Sequence, residues 1–193
     1  VRIFVAGASG VIGVRLVPLL VAAGHAVAGM TRSPDKAAAL RELGAAPVVC
    51  DVYDADALRG AVEVFAPDMV MHQLTDLPDN VKEIAQFGDR NDRIRREGTR
   101  NLLDAAAAVG AERFLAQSIA WRQPGERGER TLAFERQVLD AGGVVIRYGQ
   151  LYGPGTFYPH APPPPPRVDV DEAARATVGL LDVAPGVVEV IEE

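Results

Sequence analysis

The residues able to do chemistry begin almost at the first position. Gly7, Gly10 and Gly13 are spaced G-x-x-G-x-x-G, between an apolar β-prone run at 2–6 and a helical pattern of Val11, Ile12, Leu16, Leu19 and Leu20. Strand, tight turn and helix, in that order, is the setting in which such glycines bind a dinucleotide pyrophosphate. Gly7 lets the chain turn sharply. Gly10 lets a phosphate approach the backbone with no Cβ in the way, and Gly13 lets the helix pack close to the strand. The amides of the turn, Ala8, Ser9, Val11 and Ile12 among them, then sit at the positive end of the helix and face the phosphates.

Further polar residues stand where later apolar runs end. Thr31-Arg32 follows the second run. A site for NAD usually carries a carboxylate there, on the ribose 2′-hydroxyl; an arginine suits a 2′-phosphate, so Arg32 points to NADP in preference to NAD, with Thr31 or Ser9 assisting. Asp51, after the third run, either accepts from an adenine amino group or closes a local turn. His72 reads as a satisfied structural histidine, whereas Gln73 and Leu74 are placed to line a cofactor. Gln117-Ser118 ends the fifth run and would lie near a nicotinamide ring and its substrate. Ser118 is the candidate catalytic residue; the equal alternative is a hydroxyl bonded to nearby backbone, because serine takes no proton at neutral pH without a helper. Arg93, Arg95, Arg96 and Arg100 alternate with Asp89, Asp92 and Glu97, which reads as an exposed, ion-paired helix face.

These residues need a scaffold, and the pattern supplies one. Strands are expected at 2–6, 25–30, 47–50, 68–72, 113–117, 144–148 and 187–191. Helices are expected at 11–23, from Ser33-Pro34 to Leu43, after an Asp54 cap, from Asn91 to Val109, at 132–141 and at 169–181, with a short one at 81–86. Residues 122–130 read as a loop, and the five prolines 162–166 as an extended spacer. Regular alternation of apolar strands with helices predicts an α/β fold: a doubly wound parallel sheet with helices on both faces, its first strand near the centre and its ligand beyond the strands' carboxyl ends.

Composition narrows the function classes. The 193 residues carry a net charge of −6, 48% hydrophobic and 24% charged residues, as in an ordinary globular domain. The charge argues against nucleic acid as a partner. The single cysteine, Cys50, reads as a buried inert thiol, and no metal-ligand cluster surrounds it. No apolar run is long enough for a membrane, and the first residues lack a signal-peptide pattern, so a cytoplasmic location is expected.

The chain resembles the short-chain dehydrogenase/reductase superfamily, in its extended branch of NAD-dependent epimerase/dehydratase-like proteins. The matching pieces are Gly7–Gly13, Asp51-Val52, Gly98-Thr99-Arg100-Asn101-Leu102-Leu103, Ile146-Arg147-Tyr148-Gly149, Leu151–Gly155 and Val168–Ala174, in family order. The resemblance implies a Rossmann-like domain over 1–193, with 152–193 the reduced remnant of a C-terminal substrate lobe. It also implies a bound nicotinamide dinucleotide, with Val52 and Tyr148 in its lining, and a small-molecule substrate; it leaves a homodimer open. The family's catalytic Tyr-x-x-x-Lys pair is not found. Aligning from Glu135 puts Arg127 at the tyrosine, Thr131 at the lysine and Arg95 at an asparagine that often precedes Gly-Thr; the family serine falls on Ser118 or Ile119. Two functions follow: an NADP-dependent oxidoreductase or epimerase on a small carbonyl or sugar-like substrate, or a non-catalytic NADP(H) sensor that acts through a protein partner.

Overall fold

A computed structural model describes residues 1–78 and 81–192. The strands are β1 (Arg2–Ala6), β2 (Ala26–Thr31), β3 (Ala46–Val49), β4 (Met69–His72), β5 (Arg113–Ile119), β6 (Val144–Tyr148), β7 (Gln150–Tyr152), β8 (Arg167–Asp169) and β9 (Gly186–Val190). The helices are α1 (Gly13–Ala22), α2 (Ala37–Glu42), α3 (Ala55–Phe65), α4 (Gly88–Arg93), α5 (Thr99–Ala108), α6 (Gly125–Asp140) and α7 (Val170–Val178). Seven strands form one sheet in the order β3-β2-β1-β4-β5-β6-β9, every neighbour parallel. The chain is thus the doubly wound α/β fold that its pattern predicts, with β1 inside the sheet.

Alternation along β1 shows why both faces are covered. Ile3 and Val5 pack with Leu16 and Leu20 of α1, on the side that also takes Ala173 of α7. Phe4 and Ala6 point the other way, to Leu58 and Val62 of α3, Leu102 of α5 and Phe134 of α6. A strand buried on both faces has to be apolar throughout, which is how these runs read. The chain leaves β1 toward β2 and β3, then crosses to β4 on the opposite side. The sheet order therefore reverses between β1 and β4, and a crevice opens above their carboxyl ends.

Three elements differ from expectation. Residues 122–130 are not all loop, because α6 starts at Gly125 behind an extended Pro124 (φ −76°, ψ 155°). Its first turns are charged rather than apolar; Arg130 pairs with Glu126 at 3.0 Å and with Asp92 at 2.7 Å. Ion pairs on an exposed helix leave no hydrophobic period to read. The helix expected from Asn91 starts at Gly88 and contains a π turn at Ile94–Gly98 between α4 and α5. The prolines are no free spacer: the carbonyls of Pro163 and Pro164 accept from the Arg167 and Gln150 side chains, and that of Pro166 from the Gln150 amide. This brings β8 alongside β7 in a small parallel pair. Among the described residues, no helix is long and apolar enough to cross a membrane.

Candidate functional site

The crevice holds a cleft of about 740 Å³ whose floor is the glycine turn. Gly7 has φ +90°, and a Cβ there would lie 2.6 Å from the Gln73 carbonyl oxygen, so the turn after β1 and the end of β4 touch backbone to backbone. At Gly13 a Cβ would lie 2.4 Å from the Gly7 carbonyl oxygen. A Cβ at Gly10 would meet only that same oxygen, at 3.2 Å, so the outer side of the turn is open. The Val11 and Ile12 amides, at the start of α1, find no backbone acceptor among the described residues. Bare glycine backbone, free amides and a helix N-terminus together fit a pyrophosphate.

One end of the cleft is basic. Arg32, Ser33 and Lys36 line it, just past β2. The Thr31 hydroxyl ties this end to the glycine turn by accepting from Ser9 Oγ at 2.9 Å and from the Ser33 amide at 3.2 Å. The Arg32 side chain is 58% exposed and stands 3.6 Å from Asp76 Oδ1. Asp76 is itself buried and held by a two-pronged contact from Arg90, at 2.9 and 3.1 Å. Asp51 also borders the cleft, and its Oδ1 accepts from the Tyr53 amide at 3.0 Å, the local turn that its position allowed. Val52 is buried beside it, and its carbonyl accepts from Asn101. The Cys50 thiol is buried, and burial together with Asp54 and Asp51 pushes its pKa up, away from a reactive thiolate.

The other end is formed where β4 and β5 stop. Gln73, Leu74 and Gln117 line it, and Gln117 Nε2 donates to the Gln73 carbonyl at 3.2 Å. The Gln73 side-chain amide is buried beside the Tyr148 hydroxyl without forming a hydrogen bond of good geometry. His72 is structural, as its setting on an apolar strand suggests. Its Nδ1 accepts from the Leu74 amide at 3.2 Å, so Nε2 carries the proton and donates to Thr99 Oγ1 at 3.0 Å. Full burial, with Arg95 adding to it, lowers its pKa to about 3 and keeps the ring neutral.

Four expected site residues lie outside the cleft lining. Ala8 and Gly13 are buried within the turn itself. Ser118 points to the opposite face of β5 from Gln117: its Oγ donates to Glu135 Oε1 at 2.6 Å, and Glu135 is paired with Arg147 at 2.6 Å. Tyr148 packs toward α7. Thr177 spends its own hydrogen on the Ala173 carbonyl, so the Tyr148 hydroxyl donates to Thr177 Oγ1, and burial raises its pKa to about 12. Ser33, Lys36, Asp76, Arg90 and Arg95 went unread in the sequence as site residues. Lys36 had a signal, one helical turn beyond Arg32, and Arg95 had its place at the family's asparagine; Asp76 lies in the irregular stretch after β4.

The sequence profile of the NAD dependent epimerase/dehydratase family matches residues 3–120, which contain the glycine turn, the basic end and both strand ends of the cleft. The chain belongs to this family. The chain is 38% identical, over 96% of its own length, to a 3-diazoavenalumate denitrifying reductase of a Streptomyces species, and it spans 65% of that protein's length. It is 30% identical to a 3-beta-hydroxysteroid dehydrogenase of Mycolicibacterium neoaurum, over 59% of this chain and 31% of that one. Its fold is similar to a UDP-glucose 4-epimerase of Thermus thermophilus solved with NAD (TM-score 0.79, 22% identity, 99% of this chain and 78% of that one). The same holds for one from Thermotoga maritima solved with UDP-glucose (TM-score 0.80, 15% identity, 99% and 77%). At the two positions where the family resemblance places tyrosine and lysine, α6 presents Arg127 and Thr131. The Arg127 guanidinium lies against Gly88, and Thr131 is buried, bonded to Gln123 and Arg95.

Proposed function

We propose that the chain binds NADP(H) in this cleft and serves as the dinucleotide-binding body of an NADP-dependent reductase acting on a small molecule. The observation that carries the cofactor reading is the basic end of the cleft. Arg32, Ser33 and Lys36 stand together at the end of β2, where an NAD site usually has a carboxylate. The Gly7–Gly13 turn and the amides of Val11 and Ile12 would hold the pyrophosphate. Asp51 and Val52 would flank the adenine, and Gln73, Leu74 and Gln117 would line the nicotinamide end. Arg32 would take the 2′-phosphate, with Thr31 and Ser9 fixing the turn beside it.

The reductase reading is favoured over epimerisation by the likeness to a reductase over 96% of the chain and by the side chains near the ends of β4 and β5. A bound NADPH supplies hydride. Reduction of a ketone also needs a proton donor within hydrogen-bond reach of the oxygen. His72 is neutral with both nitrogens engaged, Tyr148 is committed to Thr177, and Ser118 to Glu135. An acceptor that takes hydride with no proton suits such a site. An arene diazonium is one: the new C–H bond replaces the C–N bond, dinitrogen leaves, and charge balances without an acid. Two measurements test this reading. Calorimetric titration should give tighter binding of NADPH than of NADH, and NADPH consumption should follow addition of diazo-substituted aromatic acids but not of sugar nucleotides. Tight NADPH binding without turnover of any substrate class would instead favour the sensor.

A further inference from the structure

The long helix after β4 changes its winding at one place. Between α4 and α5 the residues Ile94–Gly98 form a π turn, and such turns are concentrated at functional sites because they re-aim side chains. Here the turn puts Ile94 in the lining of the cleft and leaves its neighbour Arg95 half-buried against α6, off the exposed, ion-paired face on which the sequence places it. The Arg95 guanidinium lies over the Phe134 ring, 5.6 Å from its centroid, and Nη1 donates to Thr131 Oγ1 at 2.9 Å. Thr131 passes its own hydrogen to Gln123, on the loop that follows β5. The group therefore sits at the carboxyl ends of β4 and β5, the end of the sheet where the cleft opens.

Arg95 forms no ion pair among the described residues. The carboxylates that act on it are Asp92 and Glu135. Asp92 is taken by Arg130 at 2.7 Å, and Glu135 by Arg147 and Ser118, each at 2.6 Å. The remaining ionisable neighbour, His72, is neutral. A half-buried guanidinium with one observed hydrogen bond, to a neutral hydroxyl, has donors left over for an anion. The fork of a guanidinium matches the two oxygens of a carboxylate. A single cation is a poor match for a phosphate dianion.

We infer that Arg95, set by the π turn and by Thr131, recognises a carboxylate on the substrate. This rests on reading the adjacent cleft as a reductase site, and it names the residue that holds the acid group of such a substrate. The test uses cinnamate and cinnamamide as probes, equal in shape and differing in charge, titrated by calorimetry into the NADPH-saturated protein. Cinnamate should bind at least tenfold more tightly than the amide. Arg95→Gln should erase that difference, and Arg95→Lys, which keeps the charge and loses the fork, should retain part of it. Equal affinity for the two probes, no saturable binding of cinnamate, displacement of cinnamate by equimolar inorganic phosphate, or a preference unchanged in Arg95→Gln would each overturn the assignment. The wild-type comparison needs no variant to fold. An NADPH titration of the same sample reads the cofactor site separately, so a protein that prefers cinnamate and ignores NADPH would refute the cofactor reading and leave Arg95 standing.

Discussion

Replacing Arg32 with alanine isolates the basic end of the cleft. The residue is 58% exposed at its side chain, so its attraction to a 2′-phosphate acts through a mostly aqueous dielectric. Two unit charges about 4 Å apart interact by roughly 1 kcal/mol in water and about 4 kcal/mol at an effective dielectric of 20. A charge-assisted hydrogen bond falls between these, at about 1.5–3 kcal/mol. Something must be subtracted, because Arg32 already faces Asp76. That contact is 3.6 Å long and exposed on the arginine side, and Asp76 keeps its two-pronged bond to Arg90 whatever Arg32 does. Exposed pairs of this kind contribute about 0–1 kcal/mol. The net loss is then about 1–2 kcal/mol, a 5- to 30-fold rise in the NADPH dissociation constant. The NADH constant should move less than threefold, since NADH has no phosphate there. Calorimetry of both cofactors on both proteins reads the four constants, and raising the salt should shrink the wild-type preference. Equal weakening of NADH and NADPH, or no preference in the wild type, would refute the argument.

Three further perturbations follow from the geometry. In Gly13→Ala the new Cβ would sit 2.4 Å from the Gly7 carbonyl oxygen, and backbone cannot rotate away; we expect about 1–3 kcal/mol of destabilisation in a urea melt and loss of NADPH binding as the turn shifts. Ser118→Ala removes a hydrogen bond to a charged, buried acceptor and should lower unfolding free energy by about 1.5–3 kcal/mol, while calorimetry finds NADPH affinity within twofold of wild type. His72 has a folded-state pKa near 3 against an ordinary 6.5, so the unfolded chain binds the extra proton between those values. Its contribution is whole above pH 6.5 and is lost as pH falls toward 3, with a slope of at most roughly 1.4 kcal/mol per pH unit; His72→Gln should flatten the pH 4–6 stability profile.

The sheet was legible because its strands are buried on both faces and cannot hide among polar residues. The glycine turn was legible because a Cβ at Gly13 or Gly7 would come within 2.4 or 2.6 Å of a backbone oxygen, which excludes other residue types. What escaped reading shares one property: it depends on side chains meeting from distant parts of the chain. Ser118 occupies a strand end, the right address for chemistry, but strand alternation turns it away from the cleft and toward Glu135, seventeen residues on. Arg95 looks like one of four surface arginines, and only a π turn, which has no sequence signature here, separates it from Arg93 and its i,i+4 partner Glu97. The start of α6 was missed for a related reason, since Arg130 replaces an apolar anchor with pairs to Glu126 and Asp92.

The two ends of the cleft are therefore built under different constraints. The glycine end is fixed chiefly by main chain, Gly7 against the Gln73 carbonyl and Gly13 against Gly7, with the Thr31 hydroxyl tying Ser9 to the Ser33 amide. Few substitutions leave such contacts intact. The other end is lined by side chains from the ends of β4 and β5 and from the π turn, and each can change without moving the sheet. In this chain a guanidinium from the π turn reaches the Thr131 hydroxyl on α6, so positive charge stands at the position where the family resemblance places a lysine, delivered from a different helix. A guanidinium stays protonated at any working pH and does not act as a general acid. Such a group binds an anion rather than moving a proton, which is the same division of labour that hydride transfer to a proton-independent acceptor requires.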